Sequence, residues 1–163
     1  MRAGHLARRF VGSLWPLGPP PDAERWVEAV LLPGELSLWR RMSRPDRRHA
    51  VGVVRRVQAS LGDETDRPVL AAALLHDVGK VDSGLGTFGR VAATVAGLAQ
   101  SGAREGDGRV ARYLRHDVLG ADMLAAAGSD PLTVAWAREH HLAESRWTLP
   151  APLASALKAA DDD

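Results

Sequence analysis

The chain has 163 residues, of which 45% are hydrophobic, so it is long enough to bury one sizeable core and short for two. Its 21 basic and 20 acidic side chains nearly cancel, which excludes the strong positive charge typical of general nucleic-acid binding. The chain has no cysteine, so disulfides, thiolate metal sites and cysteine nucleophiles are excluded. Any metal site must therefore use nitrogen and oxygen ligands.

Residues 1–21 lack the helix signals found in the rest of the chain. Residues 1–11 carry three arginines but no apolar run of signal-peptide length, and residues 18–21 form a Gly-Pro-Pro-Pro segment that disfavours helix and strand alike. We therefore expect a flexible leader over residues 1–21 and one domain over residues 22–163. No apolar window approaches the roughly 20 residues that a membrane span needs. A cytoplasmic protein without membrane contact is expected, with its oligomeric state open.

Helix signals begin directly after this segment. Asp22 is expected to cap a helix that continues to Leu32 and is ended by Pro33 and Gly34. A short amphipathic helix over residues 36–42 is expected to follow.

Two better-marked helices come next. Ser43 and Asp66 are each placed to cap a helix with proline in its first turn, and Gly62 is placed to end the first of the two. In the second helix, residues 69–75 are all apolar. A run of this kind predicts a helix that is buried on most of its sides.

The remaining segments are also predicted to be helical. Helices are expected over residues 88–98, 109–127, 130–141 and 153–161, with an exposed loop over residues 101–108, a possible break near His116 and a stop at Gly128. No alternating strand pattern appears, so the predicted fold class is all-α. Four tryptophans lie at or near these helices and are interpreted as core or rim anchors: Trp26, Trp39, Trp136 and Trp147.

Histidines accompany the predicted helices. The chain has six, and five of them lie on or at the edges of helical segments: His49, His76, His116, His140 and His141. A single histidine on a helix is usually a satisfied core or surface residue, but several on successive helices can converge on one metal ion. The set therefore predicts a metal site.

The most informative segment is Leu-Leu-His-Asp-Val-Gly-Lys, over residues 74–80. It places His76 and Asp77 side by side at the end of a buried helix, where uncompensated polar groups cost several kcal/mol. A metal ion would compensate them, and Gly79 would allow close approach of another backbone. The alternative is a helix terminus at which His76 and Lys80 complement the helix dipole while Asp77 is solvated.

The order of these residues resembles a known family. His49, then the His-Asp-Val-Gly-Lys segment, then His116, the pair His140-His141, and Asp161 in Leu-Lys-Ala-Ala-Asp are similar to the ligand series of the HD superfamily. The resemblance covers roughly residues 47–161. It implies a single-domain helical bundle of the HD-domain type and a metal-dependent phosphohydrolase.

The family pattern assigns roles to individual residues. It implies that one divalent ion is held by His49, His76, Asp77 and Asp161. Asp77 would bridge to a second ion bound by His116 and His140, and His116 opens a His-Asp-Val-Leu-Gly-Ala stretch similar to that of the two-metal branch. A single ion held by the first four residues is the alternative. His141 is a further ligand, a substrate contact or the exposed neighbour of a ligand.

Two departures from the family restrict the assignment. The HD-GYP branch, which hydrolyses cyclic-di-GMP, continues its His-His pair with an acidic residue and a Gly-Tyr-Pro stretch, whereas His141 is followed by Leu-Ala-Glu-Ser. The carboxylate that a third ion would use one turn before His49 is replaced by Pro45.

The implied reaction is hydrolysis of a phosphomonoester or phosphodiester, with a nucleotide as the expected substrate, by a metal-activated water, with Asp77 and Lys80 as catalytic residues. Histidine and carboxylate ligands suit manganese, iron, cobalt or nickel better than magnesium. Candidate substrate contacts are Arg90, Arg115 and Arg138, although arginines on helices are more often solvated. The alternatives are a cyclic-dinucleotide phosphodiesterase and a non-catalytic metal-bearing sensor or binding module.

Overall fold

The computed structural model describes residues 18–62, 65–86, 89, 92–94 and 104–163, and these residues form helices, turns and loops without a strand. The predicted all-α class is thereby confirmed. The helices are α1 (Pro21–Val30), α2 (Pro33–Arg41), α3 (Arg44–Leu61), α4 (Arg67–Leu75), α5 (Lys80–Ser83), α6 (Arg109–Leu114), α7 (His116–Ala126), α8 (Pro131–Glu139) and α9 (Ala151–Asp162). Most of the expected leader and most of the expected helix over residues 88–98 lie outside the described residues, as does Arg90.

The predicted caps of two helices are confirmed, and a third cap is found. The side chain of Ser43 accepts a hydrogen bond from the Asp46 amide at the start of α3, and Asp66 does the same for the Val69 amide in α4. The side chain of Asp130 likewise caps α8. In each case the side-chain oxygen satisfies an amide that has no partner within the helix.

The predicted stops and break are also found. Gly62 and Gly128, with φ of 54° and 76°, follow α3 and α7 in backbone conformations that a residue with a Cβ rarely adopts. The long helix expected over residues 109–127 is interrupted at Arg115, whose φ of −111° and ψ of 19° are not helical. The interruption leaves His116 as the first residue of α7.

Two expectations about the first helices are wrong. Asp22 does not cap α1, because the helix begins one residue earlier at Pro21 and Asp22 lies within its first turn. Pro33 does not end this helix, which stops at Val30, but opens α2. A proline fits this position because the missing amide would have no partner there, and the Glu35 carboxylate accepts the preceding Leu32 amide at 2.9 Å.

The core is arranged around α4. This helix packs against α1, α2, α3 and α8, and its residues from Ala71 to Leu75 are completely inaccessible to solvent. Trp39 and Trp136 are buried in the same core, and Trp26 and Trp147 pack against it while half-buried. The tryptophans are therefore core and rim anchors, as predicted. Helix α9 packs against α3, and α8 packs against α7, so both pairs flank the end of α4.

Among the described residues, no helix combines the length and the apolar character needed to cross a membrane.

Candidate metal centre

The centre is built on the turn that follows α4. Residues 76–79 continue from Leu75 through backbone hydrogen bonds of the tight i→i−3 type, such as Val78 N to Leu75 O and Lys80 N to Asp77 O, before α5 begins. Gly79 lies against the first turns of α7, where a Cβ would be 2.0 Å from the His116 carbonyl oxygen and 2.6 Å from the Gly120 amide nitrogen. Only glycine allows this approach. The contact brings Asp77 and His116 together.

Three histidines share one local arrangement. The Nδ1 atoms of His76, His116 and His140 lie 3.0, 2.7 and 2.9 Å from the carbonyl oxygen of the residue three positions earlier. Since a carbonyl oxygen only accepts, each Nδ1 donates, and in the neutral ring Nε2 carries the lone pair. Such a hydrogen bond fixes both the tautomer and the orientation of a metal-binding imidazole.

Two of these rings leave a buried nitrogen without a partner. The Nε2 atoms of His76 and His140 have no hydrogen bond, although the side chains are 1% and 0% exposed. A buried polar atom without a partner costs free energy, and most such atoms in proteins are paired. Both lone pairs face carboxylate oxygens, which also carry lone pairs. A cation between them would satisfy both sides.

The first group of possible ligands is His49, His76 and Asp161, whose ligand atoms lie within 4.8 Å of one another. Asp161 Oδ1 is 3.0 Å from His49 Nε2 and 3.4 Å from His76 Nε2. These residues come from α3, the end of α4 and α9. The group therefore depends on contacts between distant parts of the chain.

The second group is Asp77, His116, His140 and His141, again within 4.8 Å. His116 Nε2 and His140 Nε2 lie 3.3 and 3.7 Å from Asp77 Oδ1. The exposed His141 completes the group, with its Nε2 atom 3.1 Å from His116 Nε2. Because Nδ1 of His116 is already the donor to a carbonyl, His141 Nε2 donates in this contact.

Asp77 stands between the two groups. Its Oδ1 atom faces His116 and His140, whereas its Oδ2 atom lies 3.5 Å from His76 Nε2 of the first group. One oxygen therefore faces each group, which is the arrangement that a bridging carboxylate requires.

The charges of the centre are strongly coupled. Burial works against the ionised form of Asp77, but Lys80 and His76 outweigh burial and hold the pKa of this carboxyl well below its usual range. Burial also opposes protonation of His76, yet the carboxylates of Asp77 and Asp161 outweigh this and raise its pKa.

His140 and His141 of the second group favour the neutral form. Burial lowers the pKa of His140, with Asp77 acting in the opposite direction. The pKa of His141 is lowered by loss of solvation and by the neighbouring His140 and His116, although part of the residue is exposed. Neutral imidazole is the form that binds a metal ion.

Lys80 lies beside the bridging position. Its ammonium pairs with Asp77 Oδ2, and the lysine side chain is 14% exposed. Burial opposes its charge, but Asp77 and then Asp46 raise the pKa of the ammonium. The centre thus keeps a cation next to the carboxylate at the edge of the site.

The arginines proposed as substrate contacts are engaged elsewhere. Arg115 donates to the Gly106 carbonyl at 2.7 Å, and Arg138 pairs with Asp122 at 2.7 Å with both side chains largely exposed. The third candidate, Arg90, is not among the described residues.

Three supporting residues were missed in the sequence. Glu139, directly before the His-His pair, accepts from the amide and hydroxyl of Thr148 at 2.7 and 2.6 Å. Arg56 donates to the Ala160 carbonyl next to Asp161 at 2.8 Å, and the Tyr113 ring stacks on that of His116. Arg56 lies seven residues after His49, on the same face of α3, and this spacing was a usable signal.

The donor set fits divalent transition-metal ions. Both groups offer imidazole nitrogens and carboxylate oxygens, the combination that manganese, iron, cobalt and nickel accept. The unpaired Nε2 atoms of His76 and His140 point to the same conclusion, because a metal ion is the partner that their buried positions lack.

The comparisons with known proteins agree with this geometry. A family model described as HD domain matches residues 48–162. No curated protein and no solved structure matches the chain.

Proposed function

The chain belongs to the HD domain family, and from this premise we propose that it is a metal-dependent phosphohydrolase that cleaves a phosphomonoester or phosphodiester bond of a nucleotide. The observation that carries the proposal is the convergence of three backbone-locked histidines on Asp77, two of them with a buried and unpartnered Nε2 atom. This arrangement is costly to the folded chain unless a cation occupies the centre.

The proposed ligands follow from the two groups. The first group, with Oδ2 of Asp77, would hold one ion, and the second group, with Oδ1, would hold the other. His141 is proposed as a fourth member of the second group because its Nε2 atom lies beside that of His116. Divalent ions in such a site lower the pKa of water towards neutrality and neutralise charge on phosphoryl oxygens.

The protein residues around the ions orient the reaction. Backbone carbonyls hold the imidazoles so that their Nε2 atoms face inwards, and Asp77 keeps its charge because its pKa is low. Lys80 provides a positive charge at the edge of the centre, where a phosphoryl oxygen can approach it. His76, Asp77 and His140 are buried, which strengthens the electrostatic interactions within the centre.

The experiment that tests the proposal combines metal content with a substrate screen. The protein is stripped with a chelator, reloaded with Mn²⁺, Fe²⁺, Co²⁺ or Ni²⁺, and incubated with phosphomonoesters, nucleotides and cyclic dinucleotides. We expect about two ions per chain, a higher melting temperature in the loaded form, and release of phosphate or nucleotide.

The outcomes separate the possible functions. Hydrolysis of cyclic dinucleotides alone would assign a cyclic-dinucleotide phosphodiesterase. Full metal loading without hydrolysis of any compound would favour a metal-bearing binding module. Failure to load any of the four metals would contradict the proposed centre.

A further inference from the structure

The residue three positions before each of His76, His116 and His140 supplies the carbonyl oxygen that holds the ring, and at His116 this residue differs from the other two. The carbonyl that accepts Nδ1 belongs to Ala73 for His76, to Ala137 for His140 and to Tyr113 for His116. Both alanines are completely buried and add only a methyl group to the core. Tyr113 is half-buried and adds an aromatic ring with a hydroxyl group. At this position alone of the three, the carbonyl-donating residue has a polar side chain.

Tyr113 is held against the centre from two directions. Its ring stacks on that of His116, with the centroids 5.6 Å apart and the planes inclined at 28°. Its carbonyl oxygen accepts from Nδ1 of the same histidine at 2.7 Å. The backbone contact fixes the main chain of Tyr113 relative to His116, and the stacking restrains its ring.

Two sets of contacts place Tyr113 near Lys80. Helix α6, which carries the tyrosine, packs against α5, which begins with the lysine. The His116 ring on which Tyr113 stacks has its Nε2 atom 3.3 Å from Asp77 Oδ1, and the other oxygen of Asp77 pairs with Lys80. The Tyr113 hydroxyl is 3.5 Å from the Thr94 hydroxyl at an exposed contact, so water or a ligand can reach it.

We propose that Tyr113 is a substrate-contacting residue, whose hydroxyl donates a hydrogen bond to the same phosphoryl group that Lys80 contacts. The inference rests on the proposed function, because it assumes that a phosphorylated substrate binds at the metal centre. A phosphoryl group carries several acceptor oxygens, and a neutral hydroxyl beside an ammonium supplies a second donor without adding charge. The stacked ring keeps this donor beside His116.

The test uses inorganic phosphate as the probe, since it carries the group to be recognised. Binding of phosphate to the Mn²⁺-loaded full chain is measured by calorimetry for the wild type and for Tyr113→Phe. The phenylalanine variant keeps the ring and loses only the hydroxyl. We expect an unchanged metal content and phosphate binding weaker by about tenfold, because a hydrogen bond to a charged group is lost.

Three further variants control the interpretation. Val110→Ala changes an exposed side chain of the same helix and should bind phosphate like the wild type. Tyr113→Leu removes the stacked ring as well, and we expect it to weaken metal binding in the second group. A double variant, Tyr113→Phe with Lys80→Ala, should lose less affinity than the sum of the single changes, because both donors serve one phosphoryl group.

The result that overturns the inference is specific. If the wild type binds phosphate and Tyr113→Phe binds it equally well, Tyr113 makes no contact and the proposed function is unaffected. If the metal-loaded wild type binds no phosphate, the proposed function itself is contradicted, and the role of Tyr113 is contradicted with it.

Discussion

The two ligand groups share Asp77 but are assembled differently. The first group joins His49 and Asp161, which are 112 positions apart in the chain, through a direct contact of 3.0 Å between their side chains. The second group joins the turn after α4 to the start of α7 and the end of α8, over residues 77–141. Two of its histidines, His116 and His140, are oriented by backbone carbonyls, and His141 contacts His116.

The difference teaches which contacts control each group. The first group depends on the docking of α9 on α3, so it should respond to changes in that interface. The second depends on the close approach of Gly79 to α7, so it should respond to changes in backbone spacing. Variants placed in one support and not in the other should separate the two groups.

The largest effect is expected from Asp77→Asn, which acts on both groups at once. One carboxylate oxygen faces each group, so the neutral amide should weaken the binding of both ions by at least about 100-fold and abolish hydrolysis. Metal content after dialysis and the hydrolysis rate provide the measurement. The matched control is Asp117→Asn, because Asp117 is also buried but pairs with Arg104 and not with the histidines. Retention of both ions in Asp77→Asn would contradict the bridging role.

The next largest effect is expected from Gly79→Ala. The new Cβ would lie 2.0 Å from the His116 carbonyl oxygen, so the turn and α7 must separate. Overpacking of this kind costs about 1–3 kcal/mol, and it should displace His116 from Asp77. Thermal unfolding should show a lower melting temperature, and metal titration should show weaker binding of the second ion.

The milder change is Gly120→Ala on the opposite side of the same contact. Its Cβ would lie 3.0 Å from the Gly79 nitrogen, a conflict that a small shift relieves. We therefore expect a smaller loss of stability than in Gly79→Ala. If the two variants behave alike, or if the first ion is lost before the second, the contact does not control the second group as argued.

A smaller effect concerns the pH response of the metal-free protein prepared with a chelator. The folded state raises the pKa of His76 and lowers that of His140 relative to 6.5. His76 therefore contributes stability below pH 6.5, which is lost as the pH rises through its folded pKa. His140 acts in the opposite sense, since its buried neutral ring is disfavoured once the unfolded state takes up a proton below pH 6.5.

Histidine titration followed by nuclear magnetic resonance measures both values directly. We expect His76 to titrate above pH 6.5 and His140 below it. The opposite order would show that Asp77 and Asp161 do not outweigh burial at His76.

Much of the fold was predictable because its determinants are local. The caps at Ser43, Asp66 and Asp130 each depend on a side chain within three positions of the amide it accepts, so the sequence pattern contains them. The errors at Asp22 and Pro33 have the same origin, since a proline that can stop one helix can equally start another.

The centre was only partly predictable. The His-Asp-Val-Gly-Lys segment is local, and the family resemblance supplied the other ligands that the structure brings near it. The supports are not local: Glu139 meets Thr148 across a loop, and Arg56 meets Ala160 across 104 positions. The helical spacing of Arg56 from His49 marks Arg56 as lying on the same face of α3, but no such pattern identifies its partner at Ala160, because that contact depends on how the helices dock.

The smallest effect is expected from Arg56→Ala, which tests the support of the first group. The Arg56 guanidinium lies over Gly52 and donates to the Ala160 carbonyl at 2.8 Å, one residue before Asp161. This carbonyl belongs to the last turn of α9, where the helix itself provides no partner. Removing the donor should lower the free energy of unfolding by about 1 kcal/mol. It should also weaken the binding of the first ion a few-fold, while the affinity for the second ion is unchanged. Stepwise metal titration by calorimetry distinguishes the two ions, and the exposed neighbour in Arg55→Ala is the control. If Arg56→Ala weakens the binding of both ions equally, or if Arg55→Ala weakens the binding of the first ion to the same extent, Arg56 contributes only to general stability.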